Sequence, residues 1–224
     1  MVAVVEWSVV VPAKRLARAK TRLSPLTDAL GDRPGRAHAD VVLALLADTV
    51  AAALAATAVG AVLVVTDDPA AADVVTRLGA RTVPDEPDAG LNPALAHGAR
   101  ASGARAVAAL SSDLPALRAA ELTAALAAAG SAPRCFVADA PGTGTTLLTA
   151  RDAPLSPAFG RDSAARHRAG GARELTGAWP GLARDVDTPA DLEQALALGV
   201  GRHTAALLGG ADLDRSAQRL LPFT

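Results

Sequence analysis

Ala61-Val62-Leu63-Val64-Val65-Thr66 is a short, unbroken apolar run rich in β-branched residues, and Ala70 to Leu78 directly after it carries a helical pattern. A strand with no polar alternation is buried on both faces, which is the situation of a strand inside a parallel sheet covered by helices. Working outward, the same alternation repeats. Upstream, Trp7-Ser8-Val9-Val10-Val11-Pro12 reads as a first strand, and Val41, Val42, Leu45, Leu46, Thr49, Val50 and Leu54 recur at helical spacing between about 35 and 56. Downstream, Arg81 to Pro84 is a short strand, and Pro93 to about Ser102 a helix. Ala106 to Leu110 is a strand, and a helix spans about Glu121 to Ala129. Arg134 to Ala138 and Thr146 to Thr149 are strands on either side of the turn Pro141-Gly142-Thr143-Gly144. Thr188-Pro189-Ala190-Asp191 supplies an N-cap, a first-turn proline and a first-turn acid, and opens a helix to about Leu198. Alternation of this kind predicts an α/β chain with a Rossmann-like, mostly parallel sheet and helices on both faces. No internal repeat or linker interrupts it, so one domain is expected over residues 1–224.

Composition narrows the function. Half of the residues are hydrophobic and only 2% are aromatic, with no Tyr. That scarcity disfavours single-stranded nucleic acid, whose bases stack on rings. The formal net charge of −1 leaves no basic field for a polyanion. A single cysteine, Cys135, excludes an intramolecular disulfide, and its apolar surroundings read as core. The first eleven residues carry Glu6 and do not read as a signal peptide, and no apolar stretch reaches membrane-spanning length. A cytoplasmic protein without membrane or nucleic-acid partners is expected, and a homodimer is compatible with the sequence.

Ligands of such sheets bind beyond the carboxyl ends of the strands, and the informative residues fall there. The first strand runs into 13–25, which holds Lys14, Arg15, Arg18, Lys20 and Arg22 and no acid. Of 22 Lys plus Arg in the chain, only Lys14 and Lys20 are lysines. In a composition that otherwise uses Arg, two lysines six residues apart mark places for a compact ammonium, as on a triphosphate. No Walker-type glycine loop is present. Asp113 follows the strand Ala106–Leu110 and suits a hard cation held together with substrate phosphates, although an aspartate here could equally cap the next helix. Asp185-Val186-Asp187 is a second acidic cluster before a helix. Two acidic sites and one basic loop suit metal-assisted phosphoryl chemistry better than three separate caps. Gly142-Thr143-Gly144-Thr145-Thr146 and Phe159-Gly160-Arg161-Asp162-Ser163 are turns rich in N–H and hydroxyl donors, with Arg166 and Arg168 nearby. His167 reads as a helix-surface residue, and no histidine has zinc-ligand spacing.

Taken in order, Val11-Pro12-Ala13-Lys14, Ala19-Lys20-Thr21-Arg22-Leu23, Gly90-Leu91-Asn92-Pro93-Ala94-Leu95, Asp113-Leu114-Pro115-Ala116-Leu117, Gly142–Thr146, Phe159–His167 and Asp185-Val186-Asp187-Thr188-Pro189-Ala190-Asp191-Leu192 resemble one family. It is the 2-phospho-L-lactate / phosphoenolpyruvate guanylyltransferase family of deazaflavin coenzyme F-420 biosynthesis, and the resemblance runs from about Trp7 to Leu198, leaving 201–224 outside. Ser112 departs from the alanine expected before the aspartate. The resemblance implies a nucleotide-diphospho-sugar transferase-like sheet, GTP and a small phosphorylated acid as partners, and Mg²⁺ as cofactor. It implies Asp113 and Asp185 as metal ligands, with Asp113, Lys14 and Lys20 in the catalytic machinery. Ala13, Lys14, Lys20, Gly90 and Asn92 would line the nucleotide, and Thr145, Gly160 and Ser163 would hold the acid. The Ala- and Arg-rich composition is that of high-GC actinobacteria, whose family members imply phosphoenolpyruvate as acceptor, with 2-phospho-L-lactate as the alternative. A non-catalytic nucleotide-binding or receiver-like module is the reading from another class; paired acids with two isolated lysines are surplus to it.

Overall fold

Seven strands form one sheet in the order β3-β2-β1-β4-β6-β5-β7. The computed structural model describes residues 6–13, 34–86 and 88–209. The strands are β1 (Trp7–Pro12), β2 (Val59–Val65), β3 (Arg81–Val83), β4 (Ala106–Leu110), β5 (Arg134–Ala138), β6 (Thr145–Arg151) and β7 (Arg173–Glu174). The helices are α1 (Pro34–Leu54), α2 (Pro69–Leu78), α3 (Leu91–Ser102), α4 (Ala119–Ala129), α5 (Ser163–Ala169), α6 (Pro180–Ala183) and α7 (Pro189–Leu198), and a further helical stretch covers 202–209. Every pairing is parallel except those of β6, which runs antiparallel to β4 and β5. The expected mostly parallel sheet is present.

The reversal of β6 follows from the turn before it. Only residues 139–144 separate β5 from β6, far too few for a parallel crossover. Asp139 organises this turn: its carboxylate accepts from Thr143 N–H at 2.8 Å and its carbonyl from Gly142 N–H at 2.9 Å. A Cβ on Gly144 would lie 2.2 Å from Asp139 Oδ2, so any side chain here would displace the carboxylate that organises the turn.

Both faces of the sheet are covered. Along β1, Val9 and Val11 face one apolar cluster with Leu46, Val50, Val75, Leu122 and Leu126, while Val10 faces another with Leu95, Phe136, Leu148 and Ala164. Period-2 alternation of side chains therefore feeds two cores from one strand. With few rings available, helices approach the sheet closely. Gly98 of α3 is the tightest example: a Cβ there would sit 2.5 Å from Val10 Cγ1 and 2.6 Å from Val65 Cγ2. Gly98→Ala should therefore destabilise the fold by about 1–2 kcal/mol net, overpacking outweighing the gain in helix propensity. The check is a lowered denaturant midpoint at an unchanged slope.

Acids hold several helix ends. Thr188 and Asp191 form a reciprocal capping box at the start of α7, as their spacing predicts. Asp48, buried within α1, accepts from His203 N–H and Thr204 N–H at 2.9 Å each and so caps the helical stretch 202–209.

The chain runs from β1 outward to β2 and β3, then returns to β4 on the other side of β1. That reversal opens a crevice beyond the carboxyl ends of β1 and β4, the ligand position in open α/β sheets.

Candidate active site

Asp113 stands at this crevice, three residues past the end of β4, with 8% of its surface exposed. Its main chain is held from two directions. Leu114 N–H donates to Thr49 Oγ1 at 2.9 Å, and Val186 N–H donates to the Asp113 carbonyl at 3.1 Å. The second bond matters most, because it places the half-buried Asp185 beside Asp113 although 72 positions separate them. Asp187, expected on the same side of an extended segment, is exposed. The capping alternative for Asp113 fails, since α4 starts only at Ala119 and its N-cap is Arg118. Among the described residues no group of three or more acids, histidines and cysteines gathers to hold a metal. Asp113, with Asp185 next in the chain to its main-chain partner Val186, offers carboxylate oxygen, the donor type that suits a hard cation completed by phosphate oxygens.

Thr145 opens β6, and Ser111 N–H donating to Thr146 O at 2.9 Å ties that strand end to the end of β4. The Gly/Thr turn and the Phe159–Ser163 turn do face each other. Ser163 Oγ donates to Thr145 Oγ1 at 3.1 Å, and Ala164 N–H donates to Thr143 O at 3.0 Å. Gly160 has φ +114°, a backbone that favours glycine, and a Cβ there would lie 3.3 Å from Arg166 Nη2.

His167 corrects the sequence reading. It is 3% exposed, not a surface residue, and both ring nitrogens are engaged. Nδ1 lies 2.9 Å from Thr145 Oγ1, and Nε2 accepts from Ala158 N–H at 2.9 Å. Phe159 meets the ring edge-on at 5.1 Å and Phe136 lies 5.9 Å away, two of the chain's three phenylalanines. Burial, with the cations of Arg166 and Arg134 adding to it, pushes the imidazole down to about 4. The ring is neutral near pH 7.

On the expected nucleotide side, Ala13 is buried at the end of β1 and its N–H donates to Val65 O at 2.9 Å. Gly90 precedes α3 with φ +105°. The Asn92 amide grips the next turn instead of standing open: Nδ2 donates to Phe159 O at 3.1 Å and Oδ1 accepts from Phe159 N–H at 2.7 Å. The α3 start is thereby tied to the residue before Gly160. Lys14 and Lys20 lie outside the described residues. Cys135 is buried and free, as its neighbours suggested.

The family model for "Guanylyl transferase CofC like" proteins matches residues 7–219. The chain belongs to this guanylyl transferase family. The match extends past Leu198 into the tail, further than the motifs alone reached. A phosphoenolpyruvate guanylyltransferase of Geodermatophilus obscurus is 77% identical over 94% of this chain and 98% of its own length. One of Thermomonospora curvata is 58% identical over 90% and 88%. Among solved structures, a nucleotidyl transferase from Methanothermobacter covers 86% of this chain and 97% of its own with a TM-score of 0.65 at 22% identity. A nucleotide-diphospho-sugar transferase from Desulfovibrio desulfuricans covers 93% and 96% with a TM-score of 0.65 at 15% identity. At that identity the two structures support the sheet architecture alone. No helix among the described residues is long and apolar enough to cross a membrane.

Proposed function

We infer that this guanylyl transferase family member moves the guanylyl group of GTP onto phosphoenolpyruvate and releases pyrophosphate. The observation that carries the acceptor is the 77% identity, over almost the full length of both chains, to a relative named for that reaction. A phosphate oxygen of the acceptor attacks the α-phosphorus of GTP in line. As the new P–O bond forms, the bond to the β-phosphate oxygen breaks, and pyrophosphate leaves with the electron pair. The nucleophile is already an anion, so no side chain has to remove a proton. The work of the protein is positioning and charge neutralisation.

Asp113 and Asp185 would hold Mg²⁺ at the mouth of the crevice. Bound there, the ion neutralises phosphate oxygens. Lys14 and Lys20 would meet the triphosphate, with Ala13, Gly90 and Asn92 on the nucleotide side. Thr145, Gly160 and Ser163 would hold the acid. The hydroxyl contact between Thr145 and Ser163 and the open backbone at Gly160 support a compact anionic ligand there.

Lys14→Ala and Lys20→Ala should each raise the KM for GTP by about tenfold or more and leave that for phosphoenolpyruvate nearly unchanged, a charged hydrogen bond being worth ~1.5–3 kcal/mol. A selective loss of acceptor affinity would reverse the assignment of the two pockets. On the other side, Ser163→Ala should cost acceptor binding about 1–3 kcal/mol. Gly160→Val should remove it, both by filling the approach and by straining a backbone at φ +114°. Calorimetry with GTP and with phosphoenolpyruvate, on wild type and these variants, tests the reading. Loss of GTP binding with acceptor binding unchanged in the Ser163 and Gly160 variants overturns it.

A further inference from the structure

The hydrogen bonds around His167 determine where its proton lies. A backbone N–H can only donate, so Nε2, which receives Ala158 N–H at 2.9 Å, carries no proton. The neutral ring then bears its proton on Nδ1, and that N–H must donate to Thr145 Oγ1. One lone pair of the threonine oxygen is thereby occupied. Its neighbour Ser163 makes the other contact, at 3.1 Å. If Ser163 donates to Thr145, the Thr145 hydroxyl hydrogen is left over. If Thr145 donates to Ser163, the Ser163 hydrogen is left over. In both arrangements the pair retains one O–H donor, and the donor cannot turn back toward the ring. An unprotonated Nδ1 would instead draw that hydrogen to itself, leaving the pair with no donor to offer.

We propose that His167 is a positioning residue for the acceptor: its Nδ1–H orients the Thr145–Ser163 hydroxyl pair so that one O–H points at an oxygen of the phosphorylated acid, while Nε2 anchors Ala158, two residues before Gly160. The ring is a poor candidate for a proton carrier, because both nitrogens are engaged by the protein and neither is open to a substrate. Phe136 and Phe159 pack against the ring, and its depressed basicity keeps it neutral, the one state in which Nε2 can accept. Arg166 reinforces the same loop by donating from Nε to Ala158 O at 3.1 Å. This assignment rests on Thr145, Gly160 and Ser163 holding the acceptor.

Two amides separate the two jobs of the ring. An asparagine can place its N–H₂ near the position of Nδ1, and a glutamine can place its carbonyl near that of Nε2. His167→Asn should preserve donation to Thr145 and His167→Gln should lose it. The expected result is a KM for phosphoenolpyruvate raised about tenfold or more in His167→Gln and clearly less in His167→Asn, with the KM for GTP unchanged in both. Equal losses for both substrates in both variants would reduce His167 to a packing residue and overturn the proposal. Thr145→Val is the control for the underlying pocket. If it leaves phosphoenolpyruvate use intact, the pocket assignment is wrong. If it impairs that use while His167→Gln does not, the inference about His167 alone fails. Nitrogen-15 NMR of wild-type histidines reads the tautomer without any substitution. A pyrrole-type Nδ1 with a pyridine-type Nε2 at His167 is required, and the opposite assignment contradicts the proposal.

Discussion

Asp113→Asn is expected to lower turnover by about a thousandfold or more while leaving the fold intact. The substitution keeps the volume and removes one negative charge from the proposed cation site, where electrostatic stabilisation of transferring phosphate is worth several kcal/mol. Two main-chain ties around Asp113 survive the substitution and favour retention of the fold. Its carbonyl accepts from Val186 N–H, and the next residue's N–H donates to Thr49 Oγ1. Asp185→Asn should behave alike, since Asp185 is brought to the same place by that Val186 bond. Pyrophosphate release measured across a Mg²⁺ titration, beside thermal unfolding, separates chemistry from stability. If both variants keep near-normal activity at limiting Mg²⁺, the two-carboxylate site is wrong.

The second large effect is on stability in acid. His167 in the folded protein titrates at about 4, below the ordinary value of 6.5. Below pH 6.5 the unfolded chain therefore takes up a proton that the folded chain refuses. Stability is fully present above about 6.5, falls as the pH drops from there toward 4, and loses nothing more from this group below 4. Complete passage through that window amounts to roughly 3 kcal/mol. The folded state resists the proton because burial disfavours the charged ring and Arg166 and Arg134 oppose it, and a second N–H would also confront the Ala158 N–H. The checking measurement compares denaturant midpoints of wild type and His167→Asn at several pH values. Titration of the carboxylates is common to both proteins. The advantage of wild type over the variant should shrink by roughly 3 kcal/mol between pH 7 and pH 4, and a constant gap would show that the ring titrates normally.

The expectations from sequence worked where the signal was local. β2 and β4 are apolar runs ended by polar residues, and Ala106–Leu110 appears with the boundaries its pattern implies. The Thr188–Asp191 capping box and the Gly/Thr turn before β6 are likewise written in neighbouring residues. β7 was illegible because it is two exposed polar residues, Arg173 and Glu174, made a strand only by pairing with β5. His167 departs from its surface-like pattern for a related reason. Arg166 and Arg168 flank it in a helix of seven residues, which looks like a surface, but Phe136 and Phe159 arrive from distant parts of the chain to bury it. Asp48 carried a hint that could have been used: an acid on the apolar side of α1 needs buried donors, and the 202–209 stretch supplies them. The approach of the Asp185 segment to Asp113 depends on a main-chain bond between stretches far apart in sequence, which residue spacing does not encode.

The most direct test of the central claim follows atoms. Phosphoenolpyruvate labelled with oxygen-18 in the non-bridging positions of its phosphate is incubated with the protein, GTP and Mg²⁺, and the products are weighed by mass spectrometry. Attack by the acceptor phosphate on the α-phosphorus predicts a guanylyl adduct of phosphoenolpyruvate that retains all of the label, together with unlabelled pyrophosphate. Labelled pyrophosphate, or consumption of GTP without any such adduct, would contradict the account.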